Sequence, residues 1–327
     1  MDASRRGNVK GRVALSVLVV VVVALTAPLV GSSHISLTKA FEGVSPDHEI
    51  FFYARLPRVL LALLAGSALS LTGVMFQCML RDPLAEPYTL GVSSGASVGA
   101  VLAISIGIPY ISIAGLAGAA VVLLIVVAMS VEGRRVSSFT LLLTGVTMNS
   151  IAFAIILFMH SIASLSQSFA ISRWLMGGLD AVPYSTVGWL AAALLPVMAI
   201  VTVQAPQWNL LAIGEEWAAS RGVSTTRLTL FGYIAGSLMT GLVTALTGPI
   251  GFVGLIVPHA LRLKMGADHR TLMPCAILLG AAFLALCDTI ARTLIPPTDI
   301  PVGVLTAMGG GPFFLWLLRS KRRHLWA

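Results

Sequence analysis

Ten stretches of this chain are apolar over about the thickness of a lipid bilayer, and that pattern constrains the fold more than any other feature. They run over about 13–31, 57–79, 89–107, 110–131, 139–160, 184–204, 228–247, 250–264, 272–294 and 302–318. A hydrocarbon layer takes about 20 helical residues to cross. Inside it every backbone N–H and C=O must bond within the protein, so such a run becomes an α-helix. The eighth stretch is the shortest; the others are bounded by charge, Gly or Pro. Only 10% of the residues are charged and 57% are hydrophobic, whereas a soluble domain carries about 25% charge. These figures exclude an ordinary soluble enzyme, a disordered chain and a secreted disulfide scaffold. The expected fold is an all-α polytopic membrane protein, one domain over 1–327 with ten transmembrane helices. Two five-helix halves would be inverted repeats, a common transporter plan.

The few charges report sidedness. With the N-terminus inside, 16 of the 21 Lys and Arg residues fall on the cytoplasmic side, among them Arg134, Arg135, Arg322 and Arg323. Only Lys39, Arg55, Arg58, Arg173 and Arg292 fall outside. Short positively charged loops stay in the cytoplasm, so residues 1–12 and 319–327 are read as cytoplasmic tails. The net charge of +8 is then a topology signal and calls for no nucleic acid. The first apolar run, Val13 to Val30, is longer than a signal-peptide core and nine further runs follow it, so it is read as a retained helix.

Several patterns resolve to plain structural readings. Cys78, Cys275 and Cys287 have no CxxC spacing and read as small buried hydrophobes. His34, His48, His160, His259, His269 and His324 are scattered, and no metal site is expected from them. No phosphate-binding GxxxxGK[ST] loop occurs, so any ATP, with its Mg, belongs to another chain. Gly91-Val92-Ser93-Ser94-Gly95 has the GxSxG form of a hydrolase nucleophile, but it opens an apolar helix. Gly91, Gly95 and Gly99 are spaced for close helix packing instead. No catalytic residue is expected.

Four places carry sharper readings. Asp288 is the one acid deep in an apolar run, a possible ion site, and Arg292 one turn later is its expected ion-pair partner. Arg55 and Arg58 flank Leu56-Pro57 at the outer end of the second span. They suit either lipid phosphate or an acidic docking partner. Arg81-Asp82-Pro83-Leu84-Ala85-Glu86-Pro87 is a tight turn after that span, since Pro83 and Pro87 end the helix. The polar stretch 205–227 holds Gly214 to Val223, a short helix with a Gly stop, suited to a groove on a cytoplasmic subunit.

In combination these motifs resemble the permease subunits of bacterial ABC importers for vitamin B12, ferric siderophores and haem. The resemblance covers about 50–320. It rests on Arg55-Leu-Pro-Arg58, Asp82-Pro-Leu-Ala-Glu-Pro87 and Leu90 to Gly95. It rests equally on Gly214-Glu-Glu216 with Ser220 to Val223, on Gly248 to His259, and on Gly266 to Arg270. Asp288 to Arg292 and Ile300 to Ala307 running into Gly311-Pro-Phe-Phe314 complete it.

The resemblance implies a second permease copy, two ATP-binding cassette subunits below and a substrate-binding protein above, in the bacterial inner membrane. It assigns docking to Arg55, Arg58 and Arg292, and coupling to Glu215, Glu216, Ala219, Arg221 and Gly222. Asp82, Leu84, Ser138 and Phe139 match positions near a cytoplasmic gate, and 162–170 matches a short outer gating helix. One departure is Gly310-Gly311-Pro312, where the family has Gly-Ala-Pro; the added glycine is expected to loosen that span. The resulting reading is a non-enzymatic permease for an iron chelate, siderophore or haem, working by alternating access. The alternative is a B12 permease, with an ion-coupled secondary transporter through Asp288 as the more distant rival.

Overall fold

The computed structural model describes residues 3–132, 135–295 and 298–321. Arg134, Arg322, Arg323 and His324, and with them most of the predicted tail 319–327, lie outside the described residues. The chain forms fifteen α-helices among those residues. These begin with α1 (Ala3–Thr26), α2 (Leu37–Phe41), α3 (Asp47–Glu49), α4 (Leu56–Met79), α5 (Val92–Ile106) and α6 (Ile111–Ser130). A two-residue hairpin, β1 (Val131–Glu132) against β2 (Arg135–Val136), leads into α7 (Ser138–Ile162). Then come α8 (Leu165–Leu175), α9 (Tyr184–Val203), α10 (Ala205–Ile213), α11 (Glu215–Ser220) and α12 (Thr225–Thr247). The last three are α13 (Val253–Met265), α14 (His269–Ala291) and α15 (Val302–Lys321).

Each of the ten apolar stretches is a helix. Seven are long and apolar enough to cross a membrane, including Val9–Leu29, Asp47–Met79 and Thr225–Thr247. The chain is a multi-pass membrane protein. The expected third, eighth and tenth spans are α5, α13 and α15, which fall short of that length in their apolar parts.

Helix α4 is the axis of the fold. It is hydrophobic on all faces, as a helix surrounded by others must be, and Leu61, Leu69, Leu71, Met75 and Phe76 are fully buried. It packs on α12, α13 and α14. Helices α1, α6, α7 and α9 instead show long apolar side chains outward, such as Leu25, Leu124, Phe153 and Trp189.

The second span is longer than the sequence reading had it. Asp47–Met79 is one continuous helical run of 33 residues, so Arg55 and Arg58 sit within it. Pro57 does not end the helix because Ile50–Arg55 is a π-helical turn, in which the Leu56 N–H reaches back to the Phe51 carbonyl. In that register Pro57 would bond the Phe52 carbonyl but has no N–H. The Tyr184 hydroxyl donates to that carbonyl instead, at 2.5 Å.

The GxSxG segment is packing surface. A Cβ on Gly99 would lie 2.1 Å from the Ala114 carbonyl oxygen, and one on Gly95 2.7 Å from that of Gly118. Only glycine lets α5 and α6 approach this closely. Ser93 is fully buried with its hydroxyl 3.1 Å from Thr244 Oγ1, which removes the nucleophile reading. Two other expectations change. The polar stretch 205–227 is mostly helical, and Trp208 within it is buried under Gly232 of α12. Helix α15 runs unbroken through Gly310-Gly311-Pro312, with the Phe252 ring filling the space beside Gly310.

Candidate functional site

Charge gathers at the two ends of α4. At the first end, Arg58 Nε donates to both carboxylate oxygens of Asp288 at 3.0 and 3.2 Å, and its Nη2 lies 2.9 Å from Oδ1. Arg58 Nη1 donates to Asp299 Oδ2 at 2.9 Å. The Asp288 side chain is fully buried. The expected partner Arg292 is farther off, with Nε 3.8 Å from Asp288 Oδ2. The i,i+4 spacing thus gives a real but longer contact, and a residue from another helix holds the bidentate one.

Arg55 and Arg292 point inward. Arg292 Nη2 donates to the Ala27 carbonyl at 2.6 Å, and Arg55 Nη1 donates to those of Pro28 and Leu29 at 3.3 and 3.1 Å. Arg55 Nη2 also bonds the carbonyl and hydroxyl of Ser33. Ala27–Leu29 is the 3-10 turn that ends α1, where carbonyls lack partners within the helix. Two guanidinium groups capping a helix C-terminus also suit its dipole. Both arginines are buried, so in this structure neither presents the exposed docking charge that the sequence suggested. Arg58, by contrast, borders a cavity of about 220 Å³ lined also by Arg173, Trp174, Asp180, Asp299 and Pro301.

At the other end, Arg81 follows α4 in the left-handed region at φ +50°, unusual for a side chain of its size. That turn aims its guanidinium at Glu215, with Nη2 2.9 Å from Oε1. The tight turn continues with Asp82 Oδ1 accepting the Leu84 N–H at 2.8 Å. Ser137, not Ser138, caps α7, accepting from the Thr140 N–H at 3.1 Å. Leu84 and Phe139 are exposed. A cleft of about 420 Å³ joins Arg81, Ser138, Phe139, Leu142 and Glu215.

Glu215 and Glu216 occupy the first turn of α11, the favourable end for acids. Ala218 is buried while Ala219, Arg221 and Gly222 are exposed, and Arg221 lies over the Trp217 ring at 4.7 Å. In the same turn as Asp82, the Glu86 carboxylate accepts the Phe252 N–H at 3.2 Å. Burial pushes the Glu86 carboxyl above its ordinary range, and the bond from Phe252 opposes this in part.

The expected short helix at 162–170 begins and ends later, as α8. Ser164 and Gln167 form a capping box at its start, and Gln167 Nε2 donates to the Ser105 carbonyl at 2.8 Å. Beyond its far end three chain segments meet through glycines. Cβ atoms on Gly177, Gly248 and Gly303 would fall 2.0, 2.3 and 2.3 Å from the carbonyl oxygens of Pro249, Trp174 and Met176. Gly178 N–H bonds Thr247 and Gly303 N–H bonds Gly177, at 2.8 and 3.0 Å. Cys78 and Cys275 are buried and Cys287 is half-buried, all free thiols. Among the described residues no three His, Cys, Asp or Glu side chains gather as metal ligands.

Comparison with known proteins adds a family. The model of the FecCD transport family matches residues 17–320. The hemin transport system permease protein HmuU of Yersinia pestis is 35% identical over 330 residues, covering 97% of this chain and 98% of that one. The vitamin B12 import system permease protein BtuC of Citrobacter koseri is 37% identical over 325 residues, covering 98% and 97%. Among solved structures, a metal-chelate type ABC transporter in an inward-facing conformation superposes with a TM-score of 0.84 at 29% identity. That match covers 95% of this chain and 99% of the other.

Proposed function

From the premise that this chain belongs to the FecCD transport family, and so is a permease of the ABC-importer kind, we propose that it carries an iron chelate, siderophore or haem, into the bacterial cytoplasm. Its relatives include haemin and B12 permeases, and cobalamin is the alternative cargo. The observation that carries the reading is that α4 bears a charged contact at either end. Arg58 heads it on one side, and the Arg81–Glu215 pair follows it on the other. A 24-residue helix is about 36 Å long, enough to connect the two faces of a membrane.

In this reading all ten apolar helices cross the membrane as two inverted five-helix halves, and both termini lie in the cytoplasm. Two copies flank the pathway. Two separate ATPase subunits, which bind ATP and Mg, seat on α11. A substrate-binding protein docks on the outer face at Arg58. Exposed Phe139 and Leu84 stand near the inner opening of the path. Differential binding of these partners to outward- and inward-open states drives alternating access; this chain supplies gates and a cavity and makes no covalent bond.

The test is uptake into proteoliposomes holding this permease with its ATPase subunit. Haemin, a ferric hydroxamate and cobalamin are each offered on a candidate binding protein. ATP-dependent accumulation of an iron chelate is expected. Accumulation of cobalamin alone would select the alternative cargo, and uptake driven by an ion gradient without the ATPase would overturn the assignment.

A further inference from the structure

Two solvent-exposed carboxylates, Asp180 and Asp299, line the cavity at the outer end of α4, and Asp299 is the one that holds Arg58. Arg58 is held by two acids in different ways. Asp288 is fully buried and takes the Nε–Nη2 edge of the guanidinium. Asp299 is 46% exposed and takes Nη1 through a single contact. A guanidinium offers its donors in a rigid planar fork. A carboxylate arriving from solvent therefore finds the inner edge taken by Asp288 and reaches only the edge that Asp299 occupies.

We propose that Asp299 is an internal stand-in for an acidic side chain of the binding protein, surrendering Arg58 to it on docking. This rests on the docking reading given under Proposed function. Docking is then an exchange of one carboxylate for another. The number of ion pairs on Arg58 is the same before and after, so that contact adds less affinity and less salt dependence than an unpaired arginine would give. The undocked surface keeps Arg58 neutralised and aimed. A partner that must leave after each delivery is suited by a contact whose loss is made good at once.

The experiment measures the affinity of the permease–ATPase complex in detergent for the binding protein that supports uptake in the proteoliposome assay, at low and moderate salt. Asp299→Asn is expected to bind it about two- to five-fold tighter, the range set by exposed ion pairs, with a steeper fall as salt rises. Asp299→Glu should match the parent. Glu42→Gln removes one exposed negative charge from the segment before α4, outside this cavity, and should leave affinity unchanged. Arg58→Lys keeps a cation for Asp288 but loses the fork, and should weaken docking. If Asp299→Asn does not assemble, Asp299→Ser makes the same comparison. Unchanged or weaker binding by the Asp299 variant, with weaker binding by Arg58→Lys, overturns the exchange and leaves docking standing. Equal tightening by Glu42→Gln also overturns it, since a diffuse field would then be the cause. If neither Arg58→Lys nor the Asp299 variant changes affinity, the docking reading itself falls.

Discussion

Arg58 and Asp288 are 230 residues apart in the chain and meet as a bidentate pair, with the carboxylate wholly out of solvent. The pair ties α4 to α14 near one end, as the close approach of Gly66 to Gly280 does farther along. Removing one member of a buried pair strands the other, which costs about 3–5 kcal/mol. Asp288→Asn should therefore lower stability by about 3 kcal/mol. Replacing both, as Arg58→Met with Asp288→Leu, should recover only part of that loss, because buried Arg292 also loses its carboxylate. Unfolding of each variant in detergent, followed by denaturant titration, checks this. A double variant no better than the single one would show that the pair is not an isolated unit.

The Arg81–Glu215 contact is half-exposed on both sides, so its effect on stability should be under about 1 kcal/mol. Its effect on function should be larger, because it joins the turn after α4 to the helix proposed to receive the ATPase. Arg81→Glu and Glu215→Arg should each reduce transport several-fold while the ATPase still assembles. The swapped double variant should restore part of it. Transport per ATP hydrolysed is the readout, and equal loss in the single and double variants would remove the link.

Glu86 gives a pH signature. Burial raises its carboxyl in the fold, so the neutral form is the one the fold prefers. The stability this contributes is present below the unfolded carboxyl value of about 4.3. It is lost as pH rises from there through the raised folded value. Glu86→Gln keeps an acceptor for the Phe252 N–H and removes the titration. It should be at least as stable as the parent at pH 8, and should lack the parent's gain on acidification. Thermal melts in detergent across that range test the direction.

Hydropathy alone located every long helix, because lipid leaves an apolar run no other way to satisfy its backbone. What it could not supply was which distant groups meet. For Asp288 the local rule offered Arg292, and the tighter partner came from α4. The second apolar stretch begins at Pro57, yet the helix reaches back to Asp47 through a π-turn, and the Phe52 carbonyl that Pro57 cannot bond takes a donor from Tyr184, remote in sequence. Arg55 and Arg292 read as outward charges, since they oppose the positive-inside bias. Their main partners, the carbonyls of the 3-10 turn after α1, leave no side-chain trace in sequence. Asp299 passed unnoticed beside Ile300-Pro301 for the same reason. A motif with a fixed local form fared better: the turn from Asp82 to Pro87 after α4 is written in adjacent letters, and Asp82 Oδ1 closes it on the Leu84 N–H.

The glycine junction at residues 177, 248 and 303 leaves no slack between three segments remote in sequence. Carbonyls stand where side chains would be, so a sideways slip of one backbone is transmitted to the other two with no soft layer to absorb it. The end of α8, the turn before α13 and the start of α15 are in effect welded. Any displacement of the end of α8 would therefore carry the turn before α13 and the start of α15 with it.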